Sequence, residues 1–263
     1  MTIHSKAEFK RVAEKTLILK CSIGSEIHGV SSGASDRDEM GVCIEPPEYV
    51  VGLQPFEQYQ YRTQPDHVRS GPGDLDLTVY SLRKWVRLAA AGNPTILMLL
   101  FVPKGEHMLF RNPFGKDLQE SAELFVTKQI AAKFIGYLDS QRDKMLGLRA
   151  QRTNRPELIK VHGFDTKFAY HACRLGIQGV ELLRTGTVTL PMAEDERTWL
   201  TELRQGKHTL QDALDVIAMY RSLLVELGNK ADLPARPDYP LISRRLCGWY
   251  GRHWAWMDRY REA

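Results

Sequence analysis

The chain has 263 residues, 43% of them hydrophobic and 26% charged, with a formal net charge of +4. This length gives one large or two modest domains with a real core, and so weak a basic excess means that any polyanion binding must come from local clustering. Cys21, Cys43, Cys173 and Cys247 form no CxxC pair, the N-terminal MTIHSKAEFKRVAEK has no apolar signal core, and no apolar run reaches the roughly 18 residues of a membrane span, which excludes a disulfide scaffold and predicts a cytoplasmic protein without a membrane partner.

Residues 5–15 fit a short helix. TLILKCSI (16–23) is a β-rich run ending at Gly24, and MGVCI (40–44) is a second, closed by Pro46-Pro47. EYVVGL and FEQYQYRT are strand-like but irregular, and TQPDHVRSGPGD (63–74) reads as a loop rich in Pro and Gly. DLTVY (76–80) is a third strand, running into SLRKWVRLAAAG, where Leu82, Trp85, Val86 and Ala89 recur at helical spacing. Asn93-Pro94 then caps and starts a helix through Phe101.

From about residue 114 the pattern turns helical. Leu118–Leu148 reads as one long helix, and RAQRTNRPELIKVHG (149–163) as a break around Pro156. A helix resumes with Asp165 as N-cap and Gly186 just past its end. Thr209 and Asp212 have capping-box spacing before another. LPARPDYP (233–240) is a stiff linker to a basic, aromatic tail. The expected division is a mixed α/β domain over 1–112, a helical domain over 113–232 and a C-terminal segment over 233–263.

Ten residues separate Ser25 from Asp36, and Asp36 and Asp38 stand two apart, at the spacing that turns both carboxylates to one side of a strand. Two anions aimed at one point need a cation between them. Asp76, with Asp74 two residues before it, opens the next strand. Carboxylates on adjacent strands form an oxygen-only site suited to Mg²⁺, expected as two ions with nucleotide bound and with Mn²⁺ as substitute. Gly24-Ser25, read as opening a short helix after its strand, offers N–H groups and a hydroxyl to a phosphate. A lone DxD is commonly a solvated turn; its order here, strand, GS, ten residues, DxD, strand, followed by a strand-borne Asp, favours the site.

Lys167, His171, Arg174 and Gln178 recur at i, i+4, i+7 and i+11, one face of a helix whose Phe164, Phe168, Ala172 and Leu175 form an apolar neighbour. The stripe suits triphosphate oxygens or a nucleic-acid backbone; the bland alternative is a solvated face with an incidental His. Arg142, Lys144, Arg149, Arg152, Arg155, Lys160 and His162 form a basic segment that suits a phosphate backbone or simply solvent. In the tail, Trp249, Trp254 and Trp256 among five arginines could stack RNA bases, or bury, as at least one must for solubility.

GSEIHGVSSGASDRDEMGV resembles the signature of the DNA polymerase β nucleotidyltransferase superfamily, a Gly-Ser pair followed by a DxD. DLTVYSLRKWVRLAAAGNPTILMLLF and GFDTKFAYHACRLGIQGVELLRTG are similar to bacterial and phage nucleotidyltransferases of the YcgL/RlaP type, RNA-repair-pathway members of that superfamily; the similar stretches fall within roughly residues 20–227. The resemblance implies an α+β fold, a polymerase β-like palm (mixed sheet with flanking helices) followed by an all-helical domain. It also implies an NTP substrate, Mg²⁺, Gly24 and Ser25 at the triphosphate, and Asp36 and Asp38 on both metals. Asp76 stands where the family's third carboxylate stands, which selects it over Asp74. Met98 departs from the pattern, in which an acidic residue often follows NPT.

The expected activity is transfer of an NMP from an NTP to a hydroxyl with release of pyrophosphate, with Asp36, Asp38 and Asp76 catalytic and Lys167, His171 and Arg174 binding nucleotide. The acceptor expected from the resemblance is an RNA, foremost a tRNA 3′ end. A protein or small-molecule hydroxyl, a non-catalytic nucleotide- or RNA-binding module, and a metal-dependent nuclease are the other readings. The base used and the oligomeric state are not encoded legibly.

Overall fold

A computed structural model describes residues 4–30, 36–65, 68–149 and 155–261. The elements run α1 (Ala7–Lys15), β1 (Leu17–Ile23), β2 (Arg37–Cys43), α2 (Pro47–Val50), β3 (Gln58–Arg62), β4 (Leu75–Ser81), α3 (Leu82–Ala90) and α4 (Pro94–Met98). They continue with β5 (Met108–Arg111), α5 (Pro113–Glu120), α6 (Ile130–Met145), α7 (Pro156–His162), α8 (Thr166–Thr185), α9 (Glu194–Arg204), α10 (Leu210–Lys230) and α11 (Tyr239–Arg261). The chain divides into two compact units. One comprises Met1–Ala90, Leu99–Leu124 and Pro237–Ala263, the other Ala91–Met98 and Phe125–Arg236.

The first unit is built on a five-stranded sheet of order β3-β4-β2-β1-β5. β1 pairs antiparallel with β2 and β5, β3 pairs antiparallel with β4, and the central β2–β4 pair is parallel. This is a mixed sheet with flanking helices, as expected for a palm. Side chains alternate across it, so Cys43, Tyr59 and Val79 turn to one face. There they form a core with Val12 and Ala13 of α1 and with Phe56. Asp38 and Asp76 belong to the opposite face. Trp249 and Tyr250 of α11 are buried within the same unit, so the basic, aromatic tail is a helix holding part of the palm's core.

The second unit is helical, with α6, α8 and α10 packed together and α9 against α8. Two glycines of α8 allow the close approach: a Cβ at Gly176 would collide with Tyr220, and one at Gly179 with Phe134 and Leu224. Met98 is buried at 4% exposure, a position where a carboxylate would lose its hydration.

The caps read from sequence are present. Asn93 Oδ1 accepts from the N–H groups of Thr95 and Ile96, Asp165 Oδ1 from those of Lys167 and Phe168, Gly186 closes α8 at φ +75°, and Thr209 with Asp212 forms a full capping box. Other expectations are corrected. EYVV is a helical turn, because Pro47 supplies the fixed φ that starts a helix. Gly24-Ser25 opens a run of turns over 24–29, not a helix. The helix expected over 118–148 is two, α5 capped at Ser121 and α6 starting at Ile130. Within the expected break, Pro156 sits at the start of α7 and left-handed Gly163 ends it. β5 was not foreseen, being four residues at a sheet edge. Among the described residues no helix is long and apolar enough to cross a membrane.

Candidate active site

The site forms at one end of β2 and β4. Asp38 and Asp76 are direct partners in the parallel register, and parallel partners present their side chains on the same face. Asp36 lies just before β2, where the Arg37 N–H donates to the Asp74 carbonyl at 2.8 Å and continues the pairing. The three carboxylates are thereby gathered: each of Asp36, Asp38 and Asp76 offers an oxygen, and these atoms lie within 4.8 Å of one another. All three side chains are partly buried. Such a set fits a hard divalent cation, which takes carboxylate oxygens, and contains no sulfur or nitrogen donor for a softer metal.

Gly24 stands beside this cluster because Ile23, the residue before it, pairs with Asp38. Its φ is +79°, and a Cβ there would overlap Asp38 Oδ2. Glycine is therefore needed both for the left-handed turn and for the space. Ser25 follows at the head of that turn, its carbonyl accepting the Val30 N–H at 3.1 Å. Residues 31–35, within the ten between Ser25 and Asp36, lie outside the described residues.

The two candidates for the third carboxylate have separate tasks. Asp74 staples its loop, accepting from the Gly71 N–H and the Thr63 hydroxyl, each at 2.8 Å. Those donors hold its carboxyl below the usual carboxylate range. Asp76 accepts from Ser70 Oγ at 2.6 Å, Arg62 Nε at 2.7 Å and Gln64 Nε2 at 3.1 Å. Burial pushes its carboxyl up, but Ser70, Arg62 and Gln64 outweigh it and hold Asp76 ionised below the ordinary range. Sequence reasoning missed all three donors. The register of β3 on β4, which sets Arg62 opposite Asp76, is what reveals the first of them.

Lys167, His171, Arg174 and Gln178 lie on α8, in the helical unit. The stripe is not a solvated face. Gln178 is fully buried and accepts from Arg174 Nη1 at 2.7 Å. The guanidinium groups of Arg204 and Arg174 lie over the Tyr170 ring, 5.1 and 6.0 Å from its centre. Burial, followed by the charges of Arg174, Lys167, Arg155 and Arg204, pushes His171 well below the usual imidazole range, so it is neutral.

The remaining expected surfaces are more heavily paired than their sequences suggest. Arg142 bridges Asp139 and Asp143, and Arg155 pairs with buried Asp165 at 3.3 Å; Arg152 lies outside the described residues. In the tail, Trp249 Nε1 donates to Asp117 Oδ2 and Trp254 Nε1 to the Glu45 carbonyl, both at 3.0 Å. Their indoles serve the fold, and Trp256 is the tail tryptophan left substantially exposed, at 37%.

A protein of Enterobacteria phage T4, described as an uncharacterized 38.9 kDa protein in the nrdC-mobD intergenic region, is 25% identical over 136 residues. The aligned part is 51% of this chain and 40% of the phage protein, so the chain spans about two fifths of that relative's length. Among solved structures, a nucleotidyltransferase-like protein from Exiguobacterium sibiricum 255-15 aligns with a TM-score of 0.30 at 11% identity, covering 83% of this chain and 71% of that one. Residues 1–244 match the sequence profile described as RlaP, RNA repair pathway DNA polymerase beta family. With that match over most of its length, the chain belongs to the RlaP family of polymerase β-like nucleotidyltransferases.

Proposed function

We propose that the chain transfers an NMP from an NTP to a hydroxyl of an RNA, foremost a tRNA 3′ end, in RNA repair. The observation that carries this reading is the carboxylate cluster of Asp36, Asp38 and Asp76 packed against the Gly24 turn. A divalent ion bound by these carboxylates, Mg²⁺ in a pair being the reading adopted, would neutralise phosphoryl charge and acidify the acceptor hydroxyl. Asp36, just before β2, and Asp38, on it, would hold the ion in line with the α-phosphate. The Gly24-Ser25 turn stands beside Asp38, and the Ser25 hydroxyl donates to the triphosphate oxygens. Asp76 stands at the acceptor side and, through the bound ion, would help the hydroxyl lose its proton to water. The acceptor oxygen bonds to the α-phosphorus, and the bond from that phosphorus to the bridging oxygen breaks, pyrophosphate leaving with the electron pair. Lys167 and Arg174 of α8, with neutral His171, are the further candidates for binding nucleotide phosphates.

The test is incubation with Mg²⁺ and each of the four radiolabelled NTPs, with tRNA and with total protein as parallel acceptors. Label on RNA with pyrophosphate release, lost in Asp36→Ala/Asp38→Ala, is the expected result. Mutant-sensitive label on protein would move the acceptor; no mutant-sensitive label and no pyrophosphate would overturn the reading.

A further inference from the structure

Three carboxylates within 4.8 Å repel one another, and the chain supplies its own relief. Arg62, on the edge strand β3, is the cross-strand partner of Asp76, and its Nε donates to Asp76 Oδ1 at 2.7 Å. The guanidinium is anchored from behind, Nη2 donating to the Val68 carbonyl and to Ser70 Oγ, each at 3.2 Å. Ser70 in turn donates to Asp76 Oδ2 at 2.6 Å, and Gln64 to Oδ1 at 3.1 Å. Arg62 is therefore a fixed cation on the cluster. The two donors on Oδ1, Arg62 and Gln64, equal in number the two lone pairs of a carboxylate oxygen.

A divalent ion drawn to the same three carboxylates meets two obstacles. Its charge lies close to the guanidinium, and like charges at such separations repel by kilocalories even at intermediate dielectric. It also needs an oxygen of Asp76, and both already accept hydrogen bonds, Oδ1 from Arg62 and Gln64 and Oδ2 from Ser70. We propose that Arg62 is the counter-cation of the unloaded triad and competes with the divalent ion for the Asp76 carboxylate, so that loading requires the guanidinium to leave. The alternative, that Arg62 merely holds Asp76 in the orientation the ion needs, makes the opposite prediction. This inference rests on reading the triad as a metal site.

The experiment is a Mn²⁺ titration without nucleotide, free ion being read by electron paramagnetic resonance, on wild type, Arg62→Gln, Arg62→Met, Arg62→Lys and Asp38→Ala. Removing the charge should tighten Mn²⁺ binding about ten-fold in both Arg62→Gln and Arg62→Met. Arg62→Lys, which keeps the charge, should stay within about two-fold of wild type. With Arg62 38% exposed at its side chain, the two charge-free variants guard against one failing to fold. Unchanged or weaker Mn²⁺ binding in the folded charge-free variants, while Asp38→Ala still abolishes it, overturns the competition alone. No Asp38-dependent Mn²⁺ binding in any variant overturns the metal reading of the triad and this inference with it.

Discussion

The α-carbon of Gly24 lies against the carboxyl of Asp38, so closely that a methyl group at position 24 would overlap Asp38 Oδ2. The turn proposed to receive the phosphates and the carboxylate beside it are thus fitted at the level of a single missing side chain. Gly24→Ala should cost about 1–3 kcal/mol of stability, from a non-glycine residue at φ +79°. It should also displace Asp38, weakening Mn²⁺ binding and lowering nucleotidyl transfer. A Gly24→Ala protein with wild-type metal affinity would show that this contact does not position the carboxylate.

Asp74 and Asp76 are separated by the same test. Asp76→Asn should lower turnover at least about a hundred-fold, since it removes a charge from the reacting centre. Asp74→Asn should leave turnover within a few-fold, because the Asp74 carboxylate accepts from Gly71 and Thr63 of its own loop region. Parallel kcat measurements decide it, and equal losses in both would reassign Asp74 to the site.

Lys167→Ala should raise the KM for NTP more than it lowers kcat, if Lys167 steadies the phosphates in the ground state as well as in the transition state. A wild-type KM would show that Lys167 does not bind the nucleotide, while Arg174 keeps its contacts with Tyr170 and Gln178.

Glu45 predicts a pH effect on stability. It is 1% exposed and accepts from the Leu82 N–H at 3.1 Å. Burial raises its carboxyl above the reference value of 4.5, which the hydrogen bonds from Tyr250 and Leu82 offset only in part. Because the folded value exceeds the unfolded one, ionisation is harder in the folded protein. This contribution to stability is greatest below the unfolded value and is lost as pH rises through the folded one. Glu45→Gln keeps an acceptor for Leu82 and cannot ionise. The Tm of Glu45→Gln minus that of wild type should therefore be smallest near pH 4 and grow toward pH 8; a difference that does not change with pH would refute the account.

Asp117 anchors α11 by accepting from Trp249, Arg245 and Arg252. Asp117→Ala leaves the buried indole N–H of Trp249 without its acceptor and should cost about 2 kcal/mol. Trp249→Ala, which empties a fully buried site, should cost about 3–5 kcal/mol. Denaturant midpoints measure both, and a neutral Trp249→Ala would mean that α11 contributes nothing to the palm.

What could be read in the sequence was what lies within one element. The two-residue spacing of Asp36 and Asp38, the N-cap at Asp165 and the Thr209–Asp212 box are local patterns, and each is found in the fold. The choice of Asp76 over Asp74 needed the family resemblance, because both sit in the same short stretch. Arg62 was out of reach: nothing in FEQYQYRT says which residue of β4 it will face. α7 was hidden for a related reason, since a proline reads as a break unless its position at a helix start is known. The tail tryptophans were legible as a group, but their division into buried and exposed depended on Asp117 and Glu45, each more than a hundred residues away in sequence.

The palm unit is assembled from three separate stretches of chain, and the last of them is α11. During synthesis the sheet would emerge first, the helical unit next, and the helix carrying Trp249 and Tyr250 last. Until then Glu45 and Asp117 lack the partners that α11 brings. The helical unit can complete its own core while the sheet still waits. Completion of the palm therefore coincides with completion of α11, and a chain cut after Arg236 would carry the whole helical unit but a palm still missing part of its core.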